Sequence, residues 1–351
     1  MHLRSQTAET LAEAFPGLPL AVARRVLHRV VGEDRDDLAG VRGLSNACAA
    51  ELRERGCLDR LEVVDRRRSA VDPFVKYLFR SRDGRVFEAV RIPLEKPRWS
   101  VCLSSQVGCA LGCTFCETGR LGFLRNLEPW EMVEQALTVR RESPERPLTG
   151  AVFQGQGEPF QNYDNVIRAA RILRDPSGPR IGSDRITIST VGLLPQIERY
   201  TAEGHPYRLI LSLTSAFSEK RARLVPVTAR YGVPELAAAM RRHSALRGGP
   251  VNLAWVLISG YNTGREEASE LARLFRGVSV RMSVIDVNDP AGGFCRATDE
   301  ERGRFLSALA DHGLGFVRRY SGGPDIDAAC GMLASRARGG SAHEPPAAPA
   351  S

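Results

Sequence analysis

Three closely spaced cysteines form the most chemically informative segment of this chain. Cys109, Cys113 and Cys116 stand in the stretch GCALGCTFCETG with C-x3-C-x2-C spacing. Three soft thiolates at this spacing favour an iron–sulfur cluster over a disulfide or a structural zinc, because a structural zinc is normally closed by four protein ligands. No second close Cys or Cys/His pair stands nearby in the sequence. A [4Fe–4S] cluster bound here would therefore keep one iron open for a ligand that is also a reactant.

Composition places this chemistry in a reducing compartment. The chain has 351 residues and eight cysteines, its N-terminal stretch has no unbroken apolar run of the secretory type, and no apolar stretch is long enough to span a bilayer. Clustered thiols in such a chain indicate metal ligands or catalysts of the cytoplasm. The net charge of +8 comes almost entirely from arginine, since the lysines are Lys76, Lys96 and Lys220. This charge fits either a polyanionic partner such as RNA or an Arg-rich proteome.

Periodicity divides the chain into four segments. Residues 1–70 have helical apolar spacing and predict a small accessory domain that either contacts RNA or braces the rest. Residues 71–98 predict a linking β-hairpin that turns at Asp83-Gly84. Residues 99–337 alternate six β-rich runs with helical stretches, which predicts a parallel sheet, either doubly wound or a partial (β/α)6 barrel. The Pro-rich tail 338–351 is expected to be disordered.

The barrel interpretation brings distant polar residues together. Active sites of barrels lie at the C-terminal ends of the strands. The cysteine loop follows the first predicted strand, and further small or polar residues close the second, third, fourth and sixth strands, namely Gly155, Gly157, Glu158, Ser189, Ser212, Leu213, Thr214 and Asn288. We expect these residues to converge at one end of the sheet.

Four ordered motifs resemble the RlmN/Cfr family of radical S-adenosylmethionine RNA adenosine methyltransferases. They are CLSSQVGCALGCTFC around the three cysteines, GFLRNL, GQGEP and DIDAACGML. The resemblance runs from the hairpin near Lys76 to about Leu333. It implies a [4Fe–4S] cluster on Cys109, Cys113 and Cys116, and two molecules of S-adenosylmethionine per turnover.

The resemblance also assigns three residues to methyl transfer. Cys330 matches the thiol that is first methylated and then carries the methyl carbon to adenine after hydrogen abstraction by a 5′-deoxyadenosyl radical. Cys102 matches the thiol that releases the product and leaves a transient disulfide. Glu88 matches the carboxylate that accepts a proton from the adduct. Without the resemblance, Cys102 would be interpreted as a small core residue and Glu88 as a solvated strand residue.

The expected cofactor contacts are Gly157, Glu158, Ser189, Ser212, Leu213, Thr214 and Asn288. Gly157 would permit close approach to the methionine part, and Glu158 would accept from its ammonium, with a strand-end turn as the alternative. The chain departs from the family where Thr214 replaces the usual His and where Thr228 replaces a common Asn.

The sequence thus predicts an enzyme that methylates adenosine C2 in large-subunit ribosomal RNA and also in transfer RNA. The open alternatives are a C8 methyltransferase of the antibiotic-resistance type and a noncatalytic iron–sulfur RNA-binding or assembly factor. We expect a cytoplasmic monomer, without membrane contact, that is reduced by a flavodoxin-type donor. Five arginines near the predicted barrel mouth are candidate phosphate contacts, with a solvated face as the alternative: Arg120, Arg125, Arg221, Arg223 and Arg230.

Overall fold

The fold is a mixed α/β arrangement around one large sheet. The computed structural model describes residues 1–289 and 293–334. The strands are β1 (Glu62–Arg68), β2 (Val75–Arg80), β3 (Val86–Pro93), β4 (Trp99–Leu103), β5 (Gln106–Gly108), β6 (Phe123–Asn126), β7 (Leu148–Phe153), β8 (Ile186–Thr190), β9 (Arg208–Ser212), β10 (Val251–Leu257), β11 (Val280–Asp286) and β12 (Gly315–Arg318). The predicted disordered tail 338–351 lies outside the described residues.

Helices cover the sheet and connect its strands. They are α1 (Ala8–Ala14), α2 (Leu20–Leu27), α3 (Asn46–Arg55), α4 (Glu117–Arg120), α5 (Pro129–Glu142), α6 (Tyr163–Arg174), α7 (Leu194–Glu203), α8 (Ser218–Leu224), α9 (Val233–Arg247), α10 (Arg265–Leu274) and α11 (Asp299–Asp311). No helix within the described ranges is long and apolar enough to span a bilayer.

The described strands of the main sheet number ten and run in the order β1-β2-β3-β4-β7-β8-β9-β10-β11-β12. All six strands predicted after residue 99 are present as β4 and β7 to β11, and their neighbours pair in parallel. A further parallel strand, β12, was not predicted. Its sequence, GFVR, is short and mostly exposed, so it has neither a buried apolar run nor a clear alternation.

The predicted hairpin is confirmed, with a correction to its surroundings. Strands β2 and β3 pair antiparallel, and Gly84 in the connecting turn has a φ of 78°, a backbone region that favours glycine. However, β3 also pairs with β4, so the hairpin extends the main sheet rather than only linking two domains. The helical prediction for residues 1–70 was wrong at Glu62–Arg68, which forms edge strand β1. Its run of charged residues hides the strand pattern, yet suits an edge exposed to water.

The N-terminal helices are joined to the rest of the fold by a shared hydrophobic core and by ion pairs. One hydrophobic cluster includes Leu11 and Val26 together with Phe153 and Trp255 of the sheet. The fully buried Arg4 guanidinium donates to Asp36 at 2.6 Å and lies 3.7 Å from the buried Glu134 carboxylate on α5. These contacts brace the N-terminal segment against α5.

Candidate active site

The three clustered cysteines occupy the loop that follows β5 and leads into α4. The Cys109 N–H donates to the Gly122 carbonyl at 2.9 Å, and the Cys116 N–H donates to the Cys113 carbonyl at 3.1 Å. A Cβ on Gly119 would lie 3.0 Å from both the N and the O of Cys113, so a side chain would crowd this turn. The loop backbone is therefore shaped by short internal contacts that a glycine permits.

An apolar shell surrounds these thiols. Cys113 is buried among Leu111, Leu224, Ile258 and Val287, and Cys109 and Cys116 pack against the same cluster. Burial raises the pKa of Cys109 to about 11, and it also raises the pKa values of Cys113 and Cys116, with the neighbouring thiols adding to the effect at Cys113. These thiols would bind iron as thiolates, so binding of a cluster here would release their protons.

The donor set fits a cluster better than a single ion. Within residues 1–289 and 293–334, no three His, Cys, Asp or Glu side chains are grouped so that they could share one metal ion. An iron–sulfur cluster distributes its thiolates over different irons, so its ligands need not converge on one point. Cys109, Cys113 and Cys116 are thus suited to hold a [4Fe–4S] cluster.

The GQGEP segment lies beside this loop at the end of β7. Gly157 has a φ of 96°, and a Cβ there would lie 2.5 Å from Gln106 Cβ, so this position requires glycine. The backbone of Glu158 hydrogen-bonds the Cys109 thiol. The buried Glu158 carboxylate accepts from the Phe160 N–H at 2.9 Å and the Val191 N–H at 3.0 Å. The Glu158 carboxylate therefore links the segments that follow β7 and β8.

A buried arginine organises the next strand end. The Arg221 guanidinium donates to the Leu213 carbonyl at 2.8 Å, the Ser212 carbonyl at 3.1 Å and the Thr228 hydroxyl at 2.6 Å. Burial lowers its pKa to about 10, while the Cys113 and Glu158 charges oppose that shift. Arg221 is thus a structural cation beside the cysteine loop. Its predicted alternative roles, a phosphate contact or part of a solvated face, were both wrong.

The departures from the family sit around Arg221. The Thr228 hydroxyl accepts from Arg221 and donates to the Val225 carbonyl at 2.7 Å, so this Thr is fully integrated. Thr214 is buried and has a φ of 64°, an uncommon region for a β-branched residue. Its carbonyl accepts from the Asn262 side chain at 2.7 Å, which helps to hold the strained turn.

Two serines of neighbouring strands meet on one face of the sheet. Ser189 on β8 and Ser212 on β9 have hydroxyl oxygens 3.2 Å apart. Both stand at or next to the C-terminal ends of their strands. The Ser212 carbonyl accepts from Arg221, which lies close to Cys113, so this pair of serines adjoins the cysteine loop.

The C-terminal segment covers the same end of the sheet. We use the term Cys330 loop for residues 327–333. The Glu117 N–H donates to the Gly331 carbonyl at 2.8 Å, and the Thr118 hydroxyl donates to the Leu333 carbonyl at 2.7 Å. The Asn288 amide lies 3.5 Å from the Cys330 carbonyl. Two contacts from the start of α4 thus dock the Cys330 loop beside the cluster cysteines.

Cys102 and Cys330 line the same cavity as Cys116. Cys102 is half-buried on β4 and Cys330 is exposed, and both are free thiols. Burial, followed by the charge of the Cys330 thiol, raises the pKa of Cys102 to about 12. The structure therefore brings Cys102 and Cys330 to one cavity, without a bond between them, although they lie near opposite ends of residues 99–337.

Glu88 is fully buried on β3 and forms an ion pair with Lys76. Its Oε1 lies 3.0 Å from Lys76 Nζ. Val90, two residues along the strand, pairs with Cys102, so Glu88 and Cys102 share a face of the sheet. Lys76 had no predicted role. Its rarity in an Arg-rich chain was the one signal in the sequence that could have singled it out.

Two other arginines that were candidate phosphate contacts form ion pairs with carboxylates. Arg120 lies 3.0 Å from Asp289 and also contacts Glu117. Arg125 lies 2.8 Å from the buried Glu131 and also pairs with Asp83. Both side chains are partly exposed, and their ion pairs link the loops around the cysteines.

Comparison with known proteins agrees with this geometry. The model of the radical SAM superfamily matches residues 103–272. A probable RNA methyltransferase of Myxococcus xanthus is 45% identical over 99% of this chain and 98% of its own length. The dual-specificity RNA methyltransferase RlmN of Syntrophotalea carbinolica is 36% identical over 95% of this chain and 89% of its own length.

A solved structure extends the likeness to the whole fold. The crystal structure of a radical SAM methyltransferase from Sphaerobacter thermophilus superimposes with a TM-score of 0.88 at 39% sequence identity, covering 96% of this chain and 100% of that one. Near full-length coverage at this identity extends the match beyond the superfamily core to the N-terminal helices and the Cys330 loop. The chain belongs to the RlmN-type family of radical S-adenosylmethionine RNA methyltransferases.

Proposed function

We propose that this enzyme methylates C2 of an adenosine in large-subunit ribosomal RNA, and also in transfer RNA, through a methylated Cys330. The observation that carries the proposal is the cavity shared by Cys102, Cys116 and Cys330. A thiol that carries a methyl group, a thiol that resolves it and a ligand of the radical-generating cluster are all needed at one place. Several relatives are named dual-specificity RNA methyltransferases, which supports two RNA substrates.

The roles of the side chains follow from their surroundings. Cys330 is exposed and can reach both a methyl donor and a base. Its thiolate attacks the methyl carbon of one S-adenosylmethionine, so that a bond from Cys330 sulfur to carbon forms while the carbon–sulfonium bond breaks and S-adenosylhomocysteine leaves. When bound, the cluster and a second S-adenosylmethionine would supply the radical that activates this methyl group. Residues suited to hold S-adenosylmethionine are Gly157, Glu158, Ser189, Ser212, Leu213, Thr214 and Asn288.

Release of the product needs a second thiol and a base. The Cys102 thiolate attacks the Cys330 sulfur, so that an S–S bond forms while the bond between sulfur and the transferred carbon breaks. The electron pair of the broken bond stays with the transferred carbon, which takes up a proton and becomes the methyl group of the product. The Glu88 carboxylate accepts the proton lost from the adenine carbon. The disulfide is then reduced before the next turnover. A flavodoxin-type donor in the cytoplasm would supply the electrons, and we expect the enzyme to act as a monomer.

Nucleoside mass spectrometry tests the proposal directly. Anaerobically reconstituted enzyme would be incubated with unmodified ribosomal RNA and transfer RNA, with the Cys330→Ala variant as the matched control. We expect 2-methyladenosine with the wild-type enzyme alone. Formation of 8-methyladenosine would instead establish the antibiotic-resistance type of activity. Unmodified RNA together with absent 5′-deoxyadenosine would favour the noncatalytic RNA-binding factor.

A further inference from the structure

The surroundings of Lys76 connect the base to the methyl-carrying loop. Its ammonium lies 3.0 Å from Glu88 Oε1 and donates to the Asp327 carbonyl at 3.2 Å. The side chains of Lys76 and Glu88 are 4% and 1% exposed. A single buried cation thus contacts both the proposed proton acceptor and the first residue of the Cys330 loop.

Strand register explains how one side chain reaches both groups. Lys76 on β2 pairs with Val90 on β3, and Val90 pairs with Cys102 on β4. Glu88 is the diagonal neighbour of Lys76 on the same face, within reach of a long side chain. Ile326, Ala328 and Leu333 pack over this face, against Val90 and Cys102. The Cys330 loop therefore packs on the row of paired residues Lys76, Val90 and Cys102.

The choice of residue also indicates a specific requirement. Only three of the 49 cationic residues are lysines. Lys76 is buried, whereas Lys220 is partly exposed. A lysine ammonium is a compact point charge that can direct its donors to two unrelated acceptors, whereas the guanidinium is a wider planar fork. Burying such a charge is costly unless it is paired and hydrogen-bonded, and here Glu88 and Asp327 supply both.

The Asp327 carbonyl is held by an unusual backbone. Asp327 has a φ of 54°, in the left-handed region, and its own carboxylate lies 3.7 Å from Arg67 on the outer side. The other docking contacts, from Glu117 and Thr118, hold the far end of the loop. Lys76 therefore anchors the near end, three residues before Cys330.

We propose that Lys76 is a positioning residue that ties the orientation of the Glu88 carboxylate to the docked position of the Cys330 loop. This inference rests on the proposed function for the roles of Glu88 and Cys330. Lys76 itself does not touch the reacting atoms. When the loop is docked, its ammonium is shared between the carboxylate and the carbonyl. When the loop is undocked, the Lys76 ammonium contacts Glu88 alone. The Glu88 carboxylate is therefore oriented to accept the proton only while Cys330 is docked.

Hydrogen–deuterium exchange of the loop peptide tests the anchor without requiring activity. In the full-length protein, Lys76→Met should exchange the amides of residues 327–333 roughly tenfold faster, because a hydrogen bond from a charged donor is lost. Asp327→Asn is the matched control, since it alters the side chain but keeps the carbonyl that Lys76 contacts. Glu88→Gln is a second control, since it keeps the same contact. Both should exchange within about twofold of wild type.

A double variant guards against simple misfolding. Lys76→Met leaves Glu88 as a buried unpaired charge, whereas Lys76→Met/Glu88→Gln removes both charges and should keep wild-type circular dichroism. Faster loop exchange in this double variant supports the anchor, and exchange at the wild-type rate overturns it. In the reconstituted single variant, RNA methylation should fall more than tenfold while 5′-deoxyadenosine formation continues. Equal losses in both reactions would contradict the positioning role. If the wild-type enzyme methylates no RNA, the proposed function fails, while the exchange result still decides the contact.

Discussion

The two groups of cysteines lie in different environments although they share one end of the sheet. The cluster loop is enclosed by Leu111, Leu224 and Ile258 and has its own apolar cluster. Cys102 belongs to another cluster, formed with Val90 and the residues of the Cys330 loop, while Cys330 itself is exposed. The three proposed cluster ligands are thus shielded, whereas Cys102 lies under the Cys330 loop and Cys330 itself is exposed on that loop. Under the proposed function, this separation should let variants affect radical generation and methyl transfer independently.

The largest expected effect comes from the cluster side. Replacing Cys113 by Ala removes a thiolate ligand from the buried loop, so the reconstituted protein should lose its cluster absorbance and all formation of 5′-deoxyadenosine. Iron content and the visible spectrum measure this loss. Cys295, which is exposed and outside the cavity, provides the control substitution. A Cys113→Ala protein that still cleaves S-adenosylmethionine would show that these cysteines do not hold the cluster.

Substitution of Cys330 or Cys102 should impair fewer properties, because RNA methylation is lost while the cluster is kept. Cys330→Ala should abolish RNA methylation while keeping the cluster, because the exposed thiol is no cluster ligand. In the Cys102→Ala variant, the reaction should stop before the product is released, so that RNA stays covalently linked to Cys330. Denaturing gel electrophoresis with labelled RNA distinguishes the two variants. Equal amounts of linked RNA in both would mean that Cys102 does not resolve the adduct.

The elements were predictable because parallel strands buried on both faces appear as nearly continuous apolar runs. Strands β4 and β7 to β11 all have this pattern, and the position of each strand end placed Ser189 and Asn288 at one edge. Strand β1 was missed since its Val63 and Val64 stand among charged residues of an exposed edge. Local periodicity identifies a buried element well and an edge poorly.

The partners of charged side chains could not be predicted in the same way. Arg221 on α8 was expected to contact phosphate or to lie on a solvated face, yet it is fully buried and donates to carbonyls at the ends of β8 and β9. The link between Lys76 and Asp327 joins residues 251 positions apart, and it depends on the register of β2, β3 and β4. Motifs therefore indicated which residues take part, while the three-dimensional register determined which of them meet.

The pH dependence of Cys102 alkylation tests whether this thiol lies in the buried environment under the Cys330 loop. Its pKa is raised to about 12, so between pH 7 and pH 9 the thiol is almost entirely protonated in the folded state. The thiolate fraction, and with it the rate of Cys102 alkylation in cluster-free protein, should rise roughly tenfold per pH unit without a plateau. Peptide mapping after brief iodoacetamide treatment measures the rate. A plateau near pH 8.5 would indicate an ordinary exposed thiol.

The sign for stability follows from the same shift. The unfolded chain releases this proton near pH 8.5, well before the folded chain does. The contribution of Cys102 to stability is therefore complete below about pH 8.5 and is lost as pH rises toward 12. The urea midpoint of cluster-free protein should fall between pH 8 and pH 10, and Cys102→Ala should reduce that fall.

The smallest expected effect lies at the contact between the two cysteine groups. The buried Thr118 hydroxyl donates to the Leu333 carbonyl at 2.7 Å and its side chain also hydrogen-bonds the Cys116 thiol. Thr118→Val removes both contacts while keeping the shape of the side chain. The loss of about 1 kcal/mol should open the Cys330 loop about fivefold more often. Cys102, which lies under the loop, should then be alkylated faster by the same factor, while cluster content stays at the wild-type value. Loss of the cluster instead would mean that this contact supports the cluster loop, and the two cysteine groups would not be separable.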